Sequence, residues 1–214
     1  MEKNMTVYIA QGDNRAIVTI NHTDGTSIRK TVSIQAFKNA MDAAASALPK
    51  GSLLGPLPEG YLESRYSSPG NFCVWTALPA KLRTILYYGK AYHVPFPPLL
   101  FFFEAEKTNV TRSSLYACHG HPAQGMDLYH YPFGNVYHDG RICWGNIKLP
   151  KIMNLKEVEC LIEAFFMSDT NDDLFHSVHH KTQRELLHSL DKKFPLSHLQ
   201  KTGKRLSFQE ETWR

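Results

Sequence analysis

Apolar and polar residues alternate from Thr6 to Ala10 and again from Ala16 to Ile20, with Gly12-Asp13-Asn14 between them, and this pattern predicts a β-hairpin. Asp24-Gly25 is a second turn signal, leading into a weaker strand near Ile28 to Val32. At Ile34 the period changes to that of a helix. Ile34, Phe37, Met41, Ala45 and Leu48 fall on one face, Ser33 offers an N-cap, and Pro49-Lys50-Gly51 ends the run.

Residues 51–70 are rich in Gly, Pro and Ser and read as an extended connection. Four β-like runs follow at hairpin spacing: Phe72 to Ala77, Arg83 to Tyr88, Leu99 to Glu104 and Ser113 to Cys118. They predict an antiparallel meander. From Gly120 to Pro150 the periodicity vanishes and Gly, Pro, His, Asn and Asp dominate. Loops this long in compact domains are usually functional, and the embedded aromatic residues give this one the means to be ordered. Asn154-Leu155-Lys156-Glu157 then resembles a capping box ahead of Leu155, Val158, Ile162 and Phe165 at helical spacing, and a further helix is expected across Thr182 to Asp191, before Pro195 limits it. The fold class is α+β: a four-stranded antiparallel meander packed on helices, with an added N-terminal β-hairpin that extends the sheet or covers one of its edges.

At 214 residues the chain is long enough for one sizeable core with appendages and short for two full domains. The expected division is 1–33 as the hairpin extension, 34–195 as the main domain and 196–214 as a C-terminal tail. The formal net charge of +4 is scattered, apart from Lys201, Lys204 and Arg205, so no nucleic-acid partner is called for. The polar opening lacks the apolar core of a secretory signal. The longest apolar run, Val94 to Phe103, is interrupted by Pro95, Pro97 and Pro98 and falls short of the roughly 20 residues that span a bilayer. A cytoplasmic protein without membrane partners is expected, and in that setting Cys73, Cys118, Cys143 and Cys160 stay reduced.

Cys143 lies in the aperiodic loop among amide, imidazole and backbone donors, where a thiol is accessible and can act as a nucleophile without a dedicated base. Asn135 precedes it, and Asp139-Gly140 between them is a turn signal able to fold Asn135 back toward the thiol, where its amide would meet a developing oxyanion. The plainer readings are a packed cysteine and a turn-forming asparagine. Cys118-His119-Gly120-His121 together with Cys143 offers zinc-type donors, but the spacing fits no closed structural site, and no metal is expected. His176, His179 and His180 read as a solvated helix start.

Gly140-Arg141-Ile142-Cys143-Trp144, with Asn135 upstream and Tyr92-His93-Val94-Pro95-Phe96-Pro97-Pro98 before it, resembles the active-site region of ubiquitin-conjugating (UBC) enzymes. A closer resemblance is to the protein B family of the bacterial PRTRC cassettes. It rests on Pro97-Pro98-Leu99-Leu100-Phe101, on Leu128-Tyr129 with Pro132-Phe133, Asn135-Val136-Tyr137 and Asp139-Gly140-Arg141, on Cys143, Gly145 and Asn146, and on Ala164-Phe165-Phe166 with Ser168, about residues 72–170 in all. The resemblance implies a UBC-like fold over 34–195, with Cys143 as a thioester-forming nucleophile and Asn135 as its oxyanion donor. It implies a ThiF-like adenylating enzyme and a small ubiquitin-like protein as partners, with ParB-related cassette components as further candidates, and no metal or organic cofactor. Two departures stand out. Phe133-Gly134 replaces the usual His-Pro, which leaves His130 and His138 as candidates to brace the loop, with Asp139 as a further supporting group. The interval from Pro97-Pro98 to Cys143 is also about twice the usual length.

Overall fold

The computed structural model describes residues 4–9, 14–22, 25–47, 57–68, 71–152 and 154–208. The chain divides into two compact units, 1–50 and 51–214. In the first, β1 (Asn4–Ile9), β2 (Arg15–Asn21) and β3 (Ser27–Ser33) form an antiparallel sheet of their own, in register from Asn4 opposite Asn21 and from Arg15 opposite Ser33. Helix α1 (Ile34–Ala47) follows at once, with the Ser33 hydroxyl accepting from the Ala36 N–H at 3.0 Å, an N-cap bond. The expected hairpin is thus part of a three-stranded sheet rather than an addition to the main one. The helix expected to open the main domain belongs to the first unit, because it grows directly from β3. The turn at Gly12-Asp13, Asp24, Leu48 and the stop at Pro49-Lys50-Gly51 lie outside the described residues.

The second unit is built on a six-stranded antiparallel sheet. Its strands are β4 (Tyr61–Ser68), β5 (Asn71–Leu78), β8 (Leu99–Glu106), β9 (Asn109–Ala117), β10 (Asp127–Tyr129) and β12 (Lys201–Arg205), in the order β12-β10-β9-β8-β5-β4. A hairpin of β6 (Lys81–Tyr87) and β7 (Lys90–Phe96) stands apart from it and carries β11 (Asp169–Thr170) parallel to β6.

The meander therefore differs from the expected one. Arg83 to Tyr88 leaves the main sheet, and β5 pairs directly with β8 from Asn71 opposite Glu106 to Leu78 opposite Leu99. Burial explains the difference. Phe72 to Leu78 and Leu99 to Phe103 are buried on both faces, as central strands must be, whereas β6 exposes Lys81, Leu82 and Thr84 and would carry them into the core. The other edge of β5 pairs with β4, from a segment expected to be an extended connection, and the supposed tail supplies β12, with Leu206 buried behind it.

The continuous apolar run on β8 is the source of two cores. Leu99, Phe101 and Phe103 face one and Leu100 and Phe102 the other, since successive side chains of a strand point to opposite faces. The larger core is covered by α2 (Val158–Met167), which buries Val158, Leu161, Ile162 and Phe165. Just before it, Asn154 accepts from the Glu157 N–H at 3.2 Å while its side-chain amide donates to the Glu157 carboxylate at 2.9 Å, a variant of the capping box in which the cap's side chain rather than its backbone N–H meets the carboxylate. The last helix, α3 (Gln183–Ser189), is capped by the Thr182 hydroxyl. Among the described residues no helix is long and apolar enough to cross a membrane.

Candidate functional site

The aperiodic loop is anchored first by its aromatic residues. Tyr131 and Phe133 are buried in the larger core, with the Phe133 ring 4.6 Å from that of Phe96. Gly134 follows, its N–H donating to the buried Gln183 side-chain carbonyl at 2.6 Å. The Gln183 amide donates in turn to Thr170 Oγ1 at 2.6 Å, the Thr170 hydroxyl donates to the Leu86 carbonyl at 2.7 Å, and the Gln183 N–H is held by the Asp172 carboxylate at 2.7 Å. One glutamine thus ties the loop to β11, α3 and β6. Proline at 134 would have no N–H to give, and a Cβ there would stand 2.7 Å from the Asn171 carbonyl.

Asn135 takes a left-handed backbone conformation with φ 66, which asparagine tolerates better than most residues. Its side-chain amide donates to Ser168 Oγ at 3.1 Å and to the Asp169 carbonyl at 2.8 Å, so the amide fixes the junction of α2 and β11. From there the chain turns back on itself. The Tyr137 N–H donates to the Arg141 carbonyl at 2.8 Å, and the Gly140 N–H to the Tyr137 carbonyl at 2.9 Å. The Cys143 N–H reaches the Asn135 carbonyl at 2.8 Å, which places Asn135 and Cys143 across from each other at the open end of this small hairpin. Its other edge is stitched to β9 by bonds from the Leu115 N–H to the Gly140 carbonyl and from the Ile142 N–H to the Ser113 carbonyl, 2.9 and 3.0 Å long. Trp144 seals the base, its indole N–H donating to the Ser113 hydroxyl at 2.8 Å.

The Cys143 thiol is half-buried and faces a groove of about 680 Å³ whose walls include Asn135, Tyr137, Trp144, Asp169 and Asn171. The Tyr137 hydroxyl donates to Cys143 Sγ at 3.5 Å. That bond to sulfur raises the phenol above its ordinary value, and electrostatic interaction with Cys143 adds to it.

Asp139 shapes the turn. Its carboxylate accepts from the Arg141 N–H at 3.0 Å and from Arg141 Nε at 2.6 Å, and its carbonyl accepts from the Tyr116 hydroxyl and Lys204 Nζ. Burial pulls this carboxyl upward, but the Arg141 hydrogen bonds and the Arg141 and Lys204 charges outweigh it and hold the group below the usual range. His130 and His138 pack against each other with ring centroids 4.1 Å apart and line a neighbouring pocket rather than the groove at Cys143. The brace at Gly134 is Gln183, which the sequence pattern did not single out.

None of the four cysteines is in a disulfide. Cys118 is buried in the smaller core, where burial pushes its thiol up to about 12. Among the described residues no three His, Cys, Asp or Glu side chains are arranged to hold a metal ion. Iodoacetamide is expected to label Cys143 and the exposed Cys160 in the native protein, with Cys73 and Cys118 slower by roughly 10²-fold until the protein is unfolded. Peptide mass spectrometry over a time course reads the four rates, and equal labelling of Cys118 and Cys160 would contradict the burial described.

No curated protein and no solved structure matches the chain. The sequence model of prokaryotic E2 family D matches residues 38–202, a span that runs from within α1 into β12 and takes in the whole Cys143 loop with β9 and Gln183, two of its supports. On that match, the chain belongs to prokaryotic E2 family D.

Proposed function

We propose that Cys143 accepts the C-terminus of a small ubiquitin-like protein as a thioester and passes it to an amine, as in ubiquitin conjugation. The observation that carries this reading is a half-exposed thiol on a hairpin bonded to Asn135, in a chain of an E2-like family. In the first step the Cys143 thiolate attacks the thioester carbonyl presented by an activating enzyme of the ThiF-like, adenylating kind, and that enzyme's thiolate leaves. In the second, an amine attacks the new carbonyl, gives up a proton, and expels the Cys143 thiolate. Each step passes through an oxyanion. For the Asn135 amide to stabilise it, one of the bonds to Ser168 or Asp169 must be exchanged for the oxyanion, and removal of one such donor typically costs about 10²–10³ in rate. The residues shared with protein B of PRTRC cassettes support a cassette-encoded ubiquitin-like protein as cargo and ParB-related components as further partners. A cytoplasmic setting suits a thiol that must stay reduced.

The test is reconstitution with a cognate adenylating enzyme, ubiquitin-like protein and ATP, read by intact-mass spectrometry. The wild-type chain should form an adduct that dithiothreitol removes, Cys143→Ser an adduct that survives the reductant or none, and Cys143→Ala none. Asn135→Ala should load and then discharge to free amines more slowly. An adduct that persists in Cys143→Ala, or a complete set that yields none with the wild-type chain, overturns the reading in favour of a docking module.

A further inference from the structure

Beside the Cys143 groove, and sharing Tyr137 and Leu174 with it, is a second pocket of about 640 Å³. Its walls carry His130, His138, His176, His179, His180 and Lys181, and no aspartate or glutamate. The imidazoles come from two segments, the Cys143 loop and the connection from β11 to α3, and they pack on one another. His138 lies 6.2 Å from His176, and behind the wall His198 stacks on His179 at 4.4 Å and stands 5.4 Å from His180. Nδ1 of His180 and Nδ1 of His198 are buried with no hydrogen-bond partner, although His180 Nε2 is 3.1 Å from the Ser189 hydroxyl. Buried polar atoms are rarely left unsatisfied, so this layer of imidazoles, partly in the wall and partly behind it, holds hydrogen-bonding capacity that the described residues do not use.

The one formally charged side chain in the wall is positive, and the Glu185 carboxylate on α3 is engaged by the Lys181 N–H at 2.8 Å. Lys181 is in the wall, and Lys204 on β12 acts on His130. The nearest carboxylate of the Cys143 loop, Asp139, is held by Arg141, and Asp172 on the far side of the connection is held by the Tyr87 hydroxyl and the Gln183 N–H. The remaining polar groups are the Tyr131 and Tyr137 phenols, Ser177 and Gln200, all neutral. A cation is a poor occupant, because among the described residues no three donors are arranged to hold one. An anion with several acceptor oxygens meets N–H donors from both segments.

We propose that this imidazole-lined pocket binds a phosphate group. A tetrahedral dianion offers acceptors in several directions, which suits donors spread over two segments better than a planar carboxylate does. The volume falls in the range of small-molecule sites and leaves room for phosphate carried on a nucleoside-sized body as well as for free phosphate. Binding is coupled to protons. His130 is held below its ordinary value by burial first and then by His138, His176 and Lys204, and His198 by burial and then by His179 and His180. A histidine depressed in the folded state contributes stability above its unfolded value, near 6.5, and that contribution is lost as pH falls through the folded value. A bound phosphate reverses the repulsion, so protonation of the imidazoles favours binding as the pH is lowered, opposed in part by protonation of the phosphate itself, whose second pKa is about 6 in a monoester.

The experiment is isothermal titration calorimetry of the full chain with inorganic phosphate, AMP and adenosine at pH 6 and pH 8, on the wild type and on His176→Gln/His179→Gln. Both substituted side chains are exposed, so the variant keeps its core. Phosphate or AMP binding tighter at pH 6 than at pH 8, and at least tenfold weakened in the variant at pH 6, supports the site. Equal affinities for phosphate and AMP identify a free-anion site, and tighter AMP binding identifies a phosphomonoester. Adenosine binding as well as AMP, no binding of either phosphate at pH 6, or binding indifferent to the two histidines overturns the proposal. None of these outcomes depends on whether Cys143 forms a thioester.

Discussion

Gln183→Ala is expected to lower the stability of the protein by about 3 kcal/mol, seen as a fall of roughly 6–12 °C in the melting temperature. The side chain is fully buried and accepts from Gly134 while donating to Thr170. Truncation leaves the Gly134 N–H without its partner inside the protein and opens a cavity where the amide stood, and both costs fall on the same few residues. Gln183→Leu keeps most of the volume and loses only the hydrogen bonds, so it should cost about 1 kcal/mol less than the alanine variant. Calorimetry on the two variants separates the terms. The functional readout is Asn135: it follows Gly134 directly, and its amide resonances should broaden or shift in both variants if Gln183 sets its position. A loss below about 1 kcal/mol in Gln183→Ala would show that the bond to Gly134 is not holding the loop.

Gly140→Ala is the second large effect, for a steric reason. At φ 94 the residue is in a region that side chains avoid, and a Cβ there would stand 2.4 Å from Cε1 and 2.5 Å from Cζ of Tyr116. Tyr116 is 1% exposed and packed among Trp75, Phe102 and Leu128, so its ring has no room to retreat. Backbone strain and overpacking each cost about 1–3 kcal/mol, and the expected loss is about 3–4 kcal/mol by urea unfolding. Gly145→Ala in the same loop is the control, since its φ of 53 is also left-handed but nothing lies within 4 Å of the added carbon. It should cost about 1 kcal/mol. Similar losses at both positions would mean that the Tyr116 ring moves aside.

Local patterns were legible and distant ones were not. The Ser33 cap, the Asn154 to Glu157 capping box and the period of α1 and α2 are decided by residues within a few places of one another, and the structure has them where the pattern puts them. The β6 segment reads correctly as a strand, but nothing in its alternation says that its partners are β7 and β11 rather than β5 and β8. Strand β7 is hidden by Pro95 and by the Pro-rich motif that follows, and β4 by the Gly, Pro and Ser around it. Around Cys143 the turn at Asp139-Gly140 is legible because it is local. The brace is not, because Gln183 meets Gly134 only once α3 is packed, and a lone glutamine behind a helix cap has no distinguishing pattern. His130 and His138 are the sequence's candidates to replace the missing His-Pro, yet the structure gathers them in the pocket beyond Tyr137, away from the groove at the thiol.

The supports of the Cys143 loop are drawn from widely separated stretches of chain: Leu86 through Thr170, Ser113 and Leu115 on β9, Gln183 on α3, and Lys204 on β12. During synthesis β9 is available before the thiol leaves the ribosome, but Gln183 and Lys204 are not. Non-local pairings of this kind close slowly, because the loop entropy must be overcome before any contact forms. A newly made chain therefore carries its cysteine on a half-fastened hairpin until α3 and β12 have emerged, and the groove that would receive a partner is fully braced only after that. Chains truncated before β12 would expose the thiol without the fully braced groove around it, so a partial product has the nucleophile but not the setting in which its reactivity is directed.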